Sequence, residues 1–331
     1  MKKSNSFKLS FLIVGAFIGG GFASGKEIMV YFSQFGYVSL LFCVLSGLIF
    51  YYLVKTFLFI SYNNKANLCY SINIFKKNIN LKPILMFCNF VIVAGMFAGI
   101  SELGNVNFNN LGIYLVIFTI ALTFFVLIKG LKSLEYVNFM LIPIMLLSLT
   151  LVIVFSIGKY NFVLIKNNAI LSFFNSVVYM MFNVLALCTF LLEIGKHYSK
   201  KQIKKCSVIS SITLTLILLI INIFFVTYYT TVQNQNLPIV FLANNISKAF
   251  GIFITIMVYV GMLTTLLSCS YTIKQYINKR FNNAISILII LVVGVTISLI
   301  GFEKIISKLY TLLGIIGIFF CVYVICAKLN K

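Results

Sequence analysis

The sequence predicts an all-α integral membrane protein of about ten transmembrane helices, and three observations predict it. Hydrophobic residues make up 61% of the 331-residue chain and charged residues 9%. A soluble domain carries about 25% charged residues, so this chain could not cover itself with polar surface in water. Mean hydropathy is +1.08. The apolar residues fall in runs of about 20, the length that crosses a bilayer as a helix, separated by short polar gaps.

Ten runs fit that length, at roughly 9–34, 38–60, 84–104, 111–129, 136–157, 169–193, 206–230, 249–275, 282–301 and 305–327. Lysine placement tests the count. With the N-terminus inside, all but six of the 26 basic residues fall in cytoplasmic segments; the six are Lys26, Lys159, Lys166, Lys248, Lys304 and Lys308. That bias sets orientation and puts both termini in the cytoplasm. Adding or losing one helix would scramble it. Tyrosines at run ends, among them Tyr37, Tyr62, Tyr160, Tyr198 and Tyr276, serve as interfacial aromatics in a chain without tryptophan. The longest outward loop, about 231–248, contains NLPIVFLANNIS, whose apolar spacing predicts a short helix lying on the outer surface. The N-terminus MKKSNSFKLS runs into the first helix with no small-residue cleavage site, so that helix is expected to stay in the mature protein.

The formal net charge of +21 is not a nucleic-acid signal. The charges sit between apolar runs rather than on one polar face. Arg280 is the single arginine, so the fork donor suited to phosphate is nearly absent. Eight cysteines are scattered, mostly inside apolar runs, and read as small buried apolar residues. No CxxC pair exists and His197 is the single histidine, so no metal or haem set is expected.

The first run reads FLIVGAFIGGGFASGKEIMVYF, with Gly19, Gly20, Gly21 and Gly25 within seven residues at mid-membrane. Each glycine costs about 1 kcal/mol against alanine in a helix interior. Two readings stand. A broken helix would leave backbone groups lining a cavity. Tight packing would use the four-residue spacings Gly15–Gly19 and Gly21–Gly25 for close helix approach. Lys26 and Glu27 follow directly and are expected to neutralise each other. Filling the break with Gly20→Leu is expected to abolish solute binding without harming insertion.

Ten helices divide into halves 1–160 and 161–331. Five is odd, so the sixth run enters the membrane in the opposite sense to the first, as an inverted repeat requires. That run carries Asn175, Ser176, Tyr179 and Asn183 in an apolar context, with Tyr179 and Asn183 one turn apart on one face. A mid-span asparagine bonds a neighbouring helix or a ligand. In the eighth run, Thr264, Thr265 and Ser268 could converge on a hard cation such as sodium, or bond their own carbonyls one turn back. All five acids are glutamates. Glu27 and Glu102 matter most, because intramembrane charges usually face a partner or a watery path. Glu135, Glu193 and Glu303 lie at interfaces and receive no role.

The segment Ile18-Gly19-Gly20-Gly21-Phe22-Ala23-Ser24-Gly25-Lys26-Glu27 resembles the IGAGFA(S/T)GQE signature of bacterial YkvI-like membrane proteins. Gly20 replaces the usual alanine and Lys26 the usual glutamine. That family is similar to the amino acid–polyamine–cation superfamily with the LeuT-type fold. The resemblance implies two inverted five-helix repeats, with helices 1 and 6 discontinuous around a central solute. It implies that Gly19–Gly25 offers backbone groups to a carboxylate or amine, that Phe22 is a gate or wall, and that Thr264, Thr265 and Ser268 sit where sodium-coupled relatives hold a cation. It also implies a bacterial cytoplasmic membrane.

The function expected is secondary transport of a small polar solute, an amino acid or related amine, coupled to Na+ or H+. The alternative is a non-transporting receptor on the same fold. No cofactor is expected beyond a coupling ion; the expected partners are the solute and the lipid bilayer, with no nucleic acid. The absence of a P-loop argues against direct ATP drive. An intramembrane enzyme is disfavoured, because the chain has no aspartate and no Ser–His or His/Glu metal motif.

Overall fold

The computed structural model describes residues 6–63, 71–74, 77–80, 82–108, 111–129, 144, 147–158, 166–278 and 281–329. Much of the fifth run, Glu135 and the 160/161 boundary between the halves lie outside them.

The first run is cut into α1 (Ser6–Phe17), α2 (Gly20–Ser24) and α3 (Lys26–Tyr31). The second and third runs are α4 (Ser39–Asn63) and α5 (Lys82–Asn107), joined by a gap that holds a small antiparallel hairpin, β1 (Ser71–Ile74) with β2 (Lys77–Asn80). Then come α6 (Gly112–Lys129), α7 (Leu147–Ser156), α8 (Ala169–Ile194) and α9 (Lys200–Thr227). The short α10 (Tyr229–Val232) and α11 (Pro238–Ile246) precede α12 (Lys248–Ile277) and α13 (Asn283–Ser298). The last run begins as α14 (Phe302–Lys304), widens into a π turn at Ile305–Leu309, and continues as α15 (Tyr310–Leu329). Among the described residues, seven helices are long and apolar enough to cross a membrane unaided.

Burial follows the bilayer rather than water. Large apolar side chains such as Leu41, Ile113, Phe125, Ile170, Val292 and Phe319 are exposed on the outside, while Ser46, Ser207, Ser210, Asn222 and Ser286 are buried within. With lipid as solvent, apolar surface needs no burial, and polar groups must find partners inside. Five described cysteines, Cys43, Cys88, Cys188, Cys206 and Cys321, are buried free thiols, as the sequence predicts.

The helices exchange partners in pairs. α1 packs on α9 while α4 packs on α8, and α5 packs on α13 while α6 packs on α12. α4 meets α9 and α5 meets α12. Each of the first four runs thus meets its counterpart five runs later, or swaps partners with a neighbour. A 5+5 inverted repeat of the LeuT type has this pattern.

Two expectations need correction. The sixth run is not discontinuous: α8 is one helix over its full 26 residues. It contains neither glycine nor proline, and its polar side chains bond their own helix. Asn175 Nδ2 donates to Leu171 O at 2.9 Å, Ser176 Oγ to Phe173 O at 2.7 Å, and Asn183 Nδ2 to Tyr179 O at 3.0 Å. Nothing there frees the backbone. The short helix of the 231–248 loop forms, as α11, but does not lie on a surface. Pro238, Ile239, Val240, Leu242 and Ala243 are buried, and the helix packs on α12 and α2.

Candidate functional site

The break in the first run has two joints. At the first, Gly19 is extended (φ −83°, ψ −178°) and caps α2. At the second, Gly25 adopts φ +83°, which ends α2 and starts α3. This left-handed conformation favours glycine. Ser24 pins the second joint, donating to Gly21 O at 2.7 Å and accepting from Lys26 N at 3.2 Å. Its hydroxyl is therefore used by the backbone.

The broken-helix reading holds, and the segment is also tightly packed, at Gly20 and Gly25 rather than through the predicted four-residue spacings. A Cβ added at Gly20 would lie 2.6 Å from Met262 Cα on α12. Gly20→Leu would thus push two backbones apart, and it tests packing rather than solute binding. A Cβ at Gly19 would meet Thr265 Oγ1 at 3.4 Å, an ordinary contact. At Gly21 an added Cβ would overlap Oε1 of Glu27. Gly21 is what lets that carboxylate fold back against the broken segment.

Glu27 is 5% exposed. Its Oε2 accepts from the Tyr179 hydroxyl at 3.2 Å. The expected neutralisation by Lys26 does not occur. Lys26 Nζ turns away, donating to Gln235 O at 3.0 Å and pairing with Glu303 Oε1 at 3.3 Å. Successive residues of α3 point about 100° apart, so one can face the core while the next meets α14. Among the described residues this is the one ion pair, and Glu303, which received no role from sequence, is half of it.

Aromatic side chains wall the carboxylate. The Tyr179 ring packs on Phe17 (5.9 Å between centroids), Tyr31 (5.2 Å) and Phe32 (5.4 Å). Phe22 is buried and meets Phe17 edge-on at 6.3 Å. Tyr31 donates to Ile306 O in the π turn at 2.8 Å and bonds Thr311 Oγ1 at 3.0 Å. Tyr310 stacks on Phe182 at 4.3 Å, and its buried hydroxyl has no partner among the described residues.

The structure brings together Gly19, Gly20, Gly21, Phe22, Ala23, Ser24, Gly25, Glu27 and Tyr179. It adds Tyr31 and Tyr310, which sequence reasoning missed. Tyr31 had a signal, since it lies one turn after Glu27 on the same helix face. Tyr310 had none. Asn183 is buried one turn from Tyr179, with its amide spent on the helix carbonyl. Thr264 and Thr265 both donate to Gly261 O, at 3.1 and 3.0 Å, and Ser268 donates to Thr264 O at 2.9 Å. Glu102 stands apart, accepting from Asn236 Nδ2 at 2.9 Å where α5 meets the 233–237 loop.

Comparison with known proteins fits this architecture. The chain is 22% identical to the uncharacterized membrane protein YkvI of Bacillus subtilis (strain 168), over 98% of this chain and 97% of YkvI. The likeness to YkvI runs nearly the full length of both chains. No family model matches it. Among solved structures, the inward-facing conformation of Mhp1 superposes with a TM-score of 0.64 at 13% identity, over 93% of this chain and 72% of that one. Mhp1, a nucleobase-cation-symport-1 family transporter, in a closed conformation with bromovinylhydantoin bound, gives 0.60 at 15% identity, over 94% and 75%. The shared fold is the LeuT type.

Proposed function

We propose that this chain is a secondary transporter of a small polar solute bearing an amino group, an amino acid or a related amine, working by alternating access across a bacterial cytoplasmic membrane. Glu27 carries the reading. It is a buried acid at the break of the first helix, with aromatic walls, one tyrosine donor, and no basic side chain paired to it among the described residues. A solute ammonium would supply the missing charge, and aromatic faces favour cations. The unwound joints at Gly19 and Gly25 supply the place where α2 and α3 can tilt against α1. The likeness to a transporter fold supports the class.

The test is uptake by proteoliposomes offered a labelled panel of amino acids and amines, with sodium and proton gradients imposed separately. Uptake of an amine-bearing solute by the wild type, lost in Glu27→Gln, is the expected result. Binding without uptake would replace transport by reception. Uptake of uncharged solutes alone, indifferent to Glu27, would refute the amine reading.

A further inference from the structure

We propose that Glu27 holds either a proton or the solute's ammonium group, never both, so that the protein exchanges one for the other. This rests on the amine reading above and deepens it by naming the coupling ion.

The argument begins with charge. A bare carboxylate inside the helical body is disfavoured by roughly two orders of magnitude. With no solute present, burial favours the neutral form. The titratable and charged groups of the elements around it offer no standing counter-charge. On α3, Lys26 is engaged with Glu303. From α8 comes Tyr179, already donating to Oε2. From α15 comes Tyr310, which lies within electrostatic reach of Glu27. Tyr31 on α3 donates to Ile306 O. Lys308 of the π turn is exposed at the surface. Of the other elements packed on α3, neither α2 nor the turn Ser33–Phe35 carries a titratable group, and the lysines of α9 lie in its first two turns, whereas Phe225, near its other end, meets Gly25.

A hard cation fits less well than a proton. Such ions gather several oxygens. Among the described residues the Glu27 carboxylate has one hydroxyl donor, at 3.2 Å, and its Oε1 lies against Gly21. The nearby hydroxyls of Ser24 and Thr265 are committed to helix carbonyls. A proton needs only the carboxyl itself and one acceptor. The Tyr179 hydroxyl, 3.2 Å from the carboxylate, can turn from donor to acceptor when the carboxyl is protonated.

The step balances without further reactants. The ammonium group enters, the carboxyl O–H releases its proton to the water on that side, and an ammonium–carboxylate pair remains. On the other side the reverse occurs. Each loaded form carries the same net charge through the membrane, so the exchange is electroneutral for a monoamine.

The test uses full-length protein in liposomes and the infrared carbonyl stretch of protonated carboxyl groups. In the wild type at mildly acidic pH we expect such a band, absent from Glu27→Gln and shifted in Tyr179→Phe, which removes one hydroxyl while keeping the acid. Methylammonium, putrescine and tyramine are then added as chlorides, with sodium chloride as control. At least one amine should lower the band at least tenfold more effectively than sodium, and release protons into weak buffer. Absence of the Glu27 band at mildly acidic pH would overturn the proposal. So would a band that sodium erases, or one that none of the three amines touches. If amines displace the proton yet no solute is taken up, transport fails and the exchange site stands. If an amine is taken up and Glu27→Gln keeps its pH dependence, the exchange fails and transport stands.

Discussion

Gly25→Ala tests how the broken helix is built. At φ +83° a residue with a Cβ is strained by about 1–2 kcal/mol. The new methyl would also sit 2.6 Å from Cζ and 2.8 Å from Cε2 of Phe225, and 3.0 Å from Cγ1 of Ile239. Phe225 is fully buried and Ile239 nearly so, so neither can swing away freely, and overpacking of this kind costs about 1–3 kcal/mol. The total is about 2–5 kcal/mol, since the two contributions arise from different atoms. Titration with dodecyl sulfate in mixed micelles, followed by circular dichroism, reads the loss directly. Adding Phe225→Leu separates the causes. The smaller side chain should relieve the overlap and leave the conformational strain, so the double variant should remain about 1–2 kcal/mol worse than Phe225→Leu alone. A Gly25→Ala protein within about 0.5 kcal/mol of wild type would refute the reasoning. Complete recovery in the double variant would refute the conformational half of it.

Other consequences are measurable. Gly21→Ala should displace the Glu27 carboxylate from Tyr179 and weaken amine binding about 10-fold or more, the worth of one hydrogen bond to a charged group; calorimetric titration of wild type and variant decides. Asn222→Leu removes the 2.8 Å bonds to Ser33 and Ser39, whose hydroxyls keep Ile28 O and Gly36 O, so about 0.5–1.5 kcal/mol is expected for each bond lost, read by the same detergent titration. In a double-mutant cycle, Lys26→Met and Glu303→Gln should couple by no more than about 1 kcal/mol, because the Glu303 side chain is 61% exposed and screened; a larger coupling would mean a desolvated pair. Thr265→Ala combined with Ser268→Ala should leave proton-coupled uptake intact, since both hydroxyls bond their own helix, and lost sodium dependence would move coupling to α12.

Some of this site was legible in the amino-acid order and some was not. The glycine cluster and Glu27 are local features, and their local meaning carried through: a run that glycines cut is broken at glycines. Reading Lys26 as the neighbour of Glu27 failed because adjacency in sequence is not adjacency on a helix. Its true partner, Glu303, lies 277 residues away, and no spacing rule reaches that far. The sixth run misled through analogy. Its asparagines looked like interruptions, yet an asparagine can bond the carbonyl one turn back and leave the helix whole. The hydroxyls of α12 show the same ambiguity, and the structure places them with their own carbonyls. Tyr310 was invisible because nothing in its surroundings marks it. Its role depends on which residue the packing leaves without a partner.

The π turn at Ile305–Leu309 has a consequence for angular phase. A π turn holds one residue more than the α turn it replaces. Deleting one residue there would restore an unbroken α-helix and rotate everything before it by about 100° relative to α15. Phe302, packed near Gly99 on α5, and Glu303, the partner of Lys26, would then face elsewhere. Tyr310 would keep its stack on Phe182 and Thr311 its bond to Tyr31. The widened turn thus acts as a dial between two halves of one helix, setting the bearing of the residue that meets Lys26 independently of Tyr310 and Thr311.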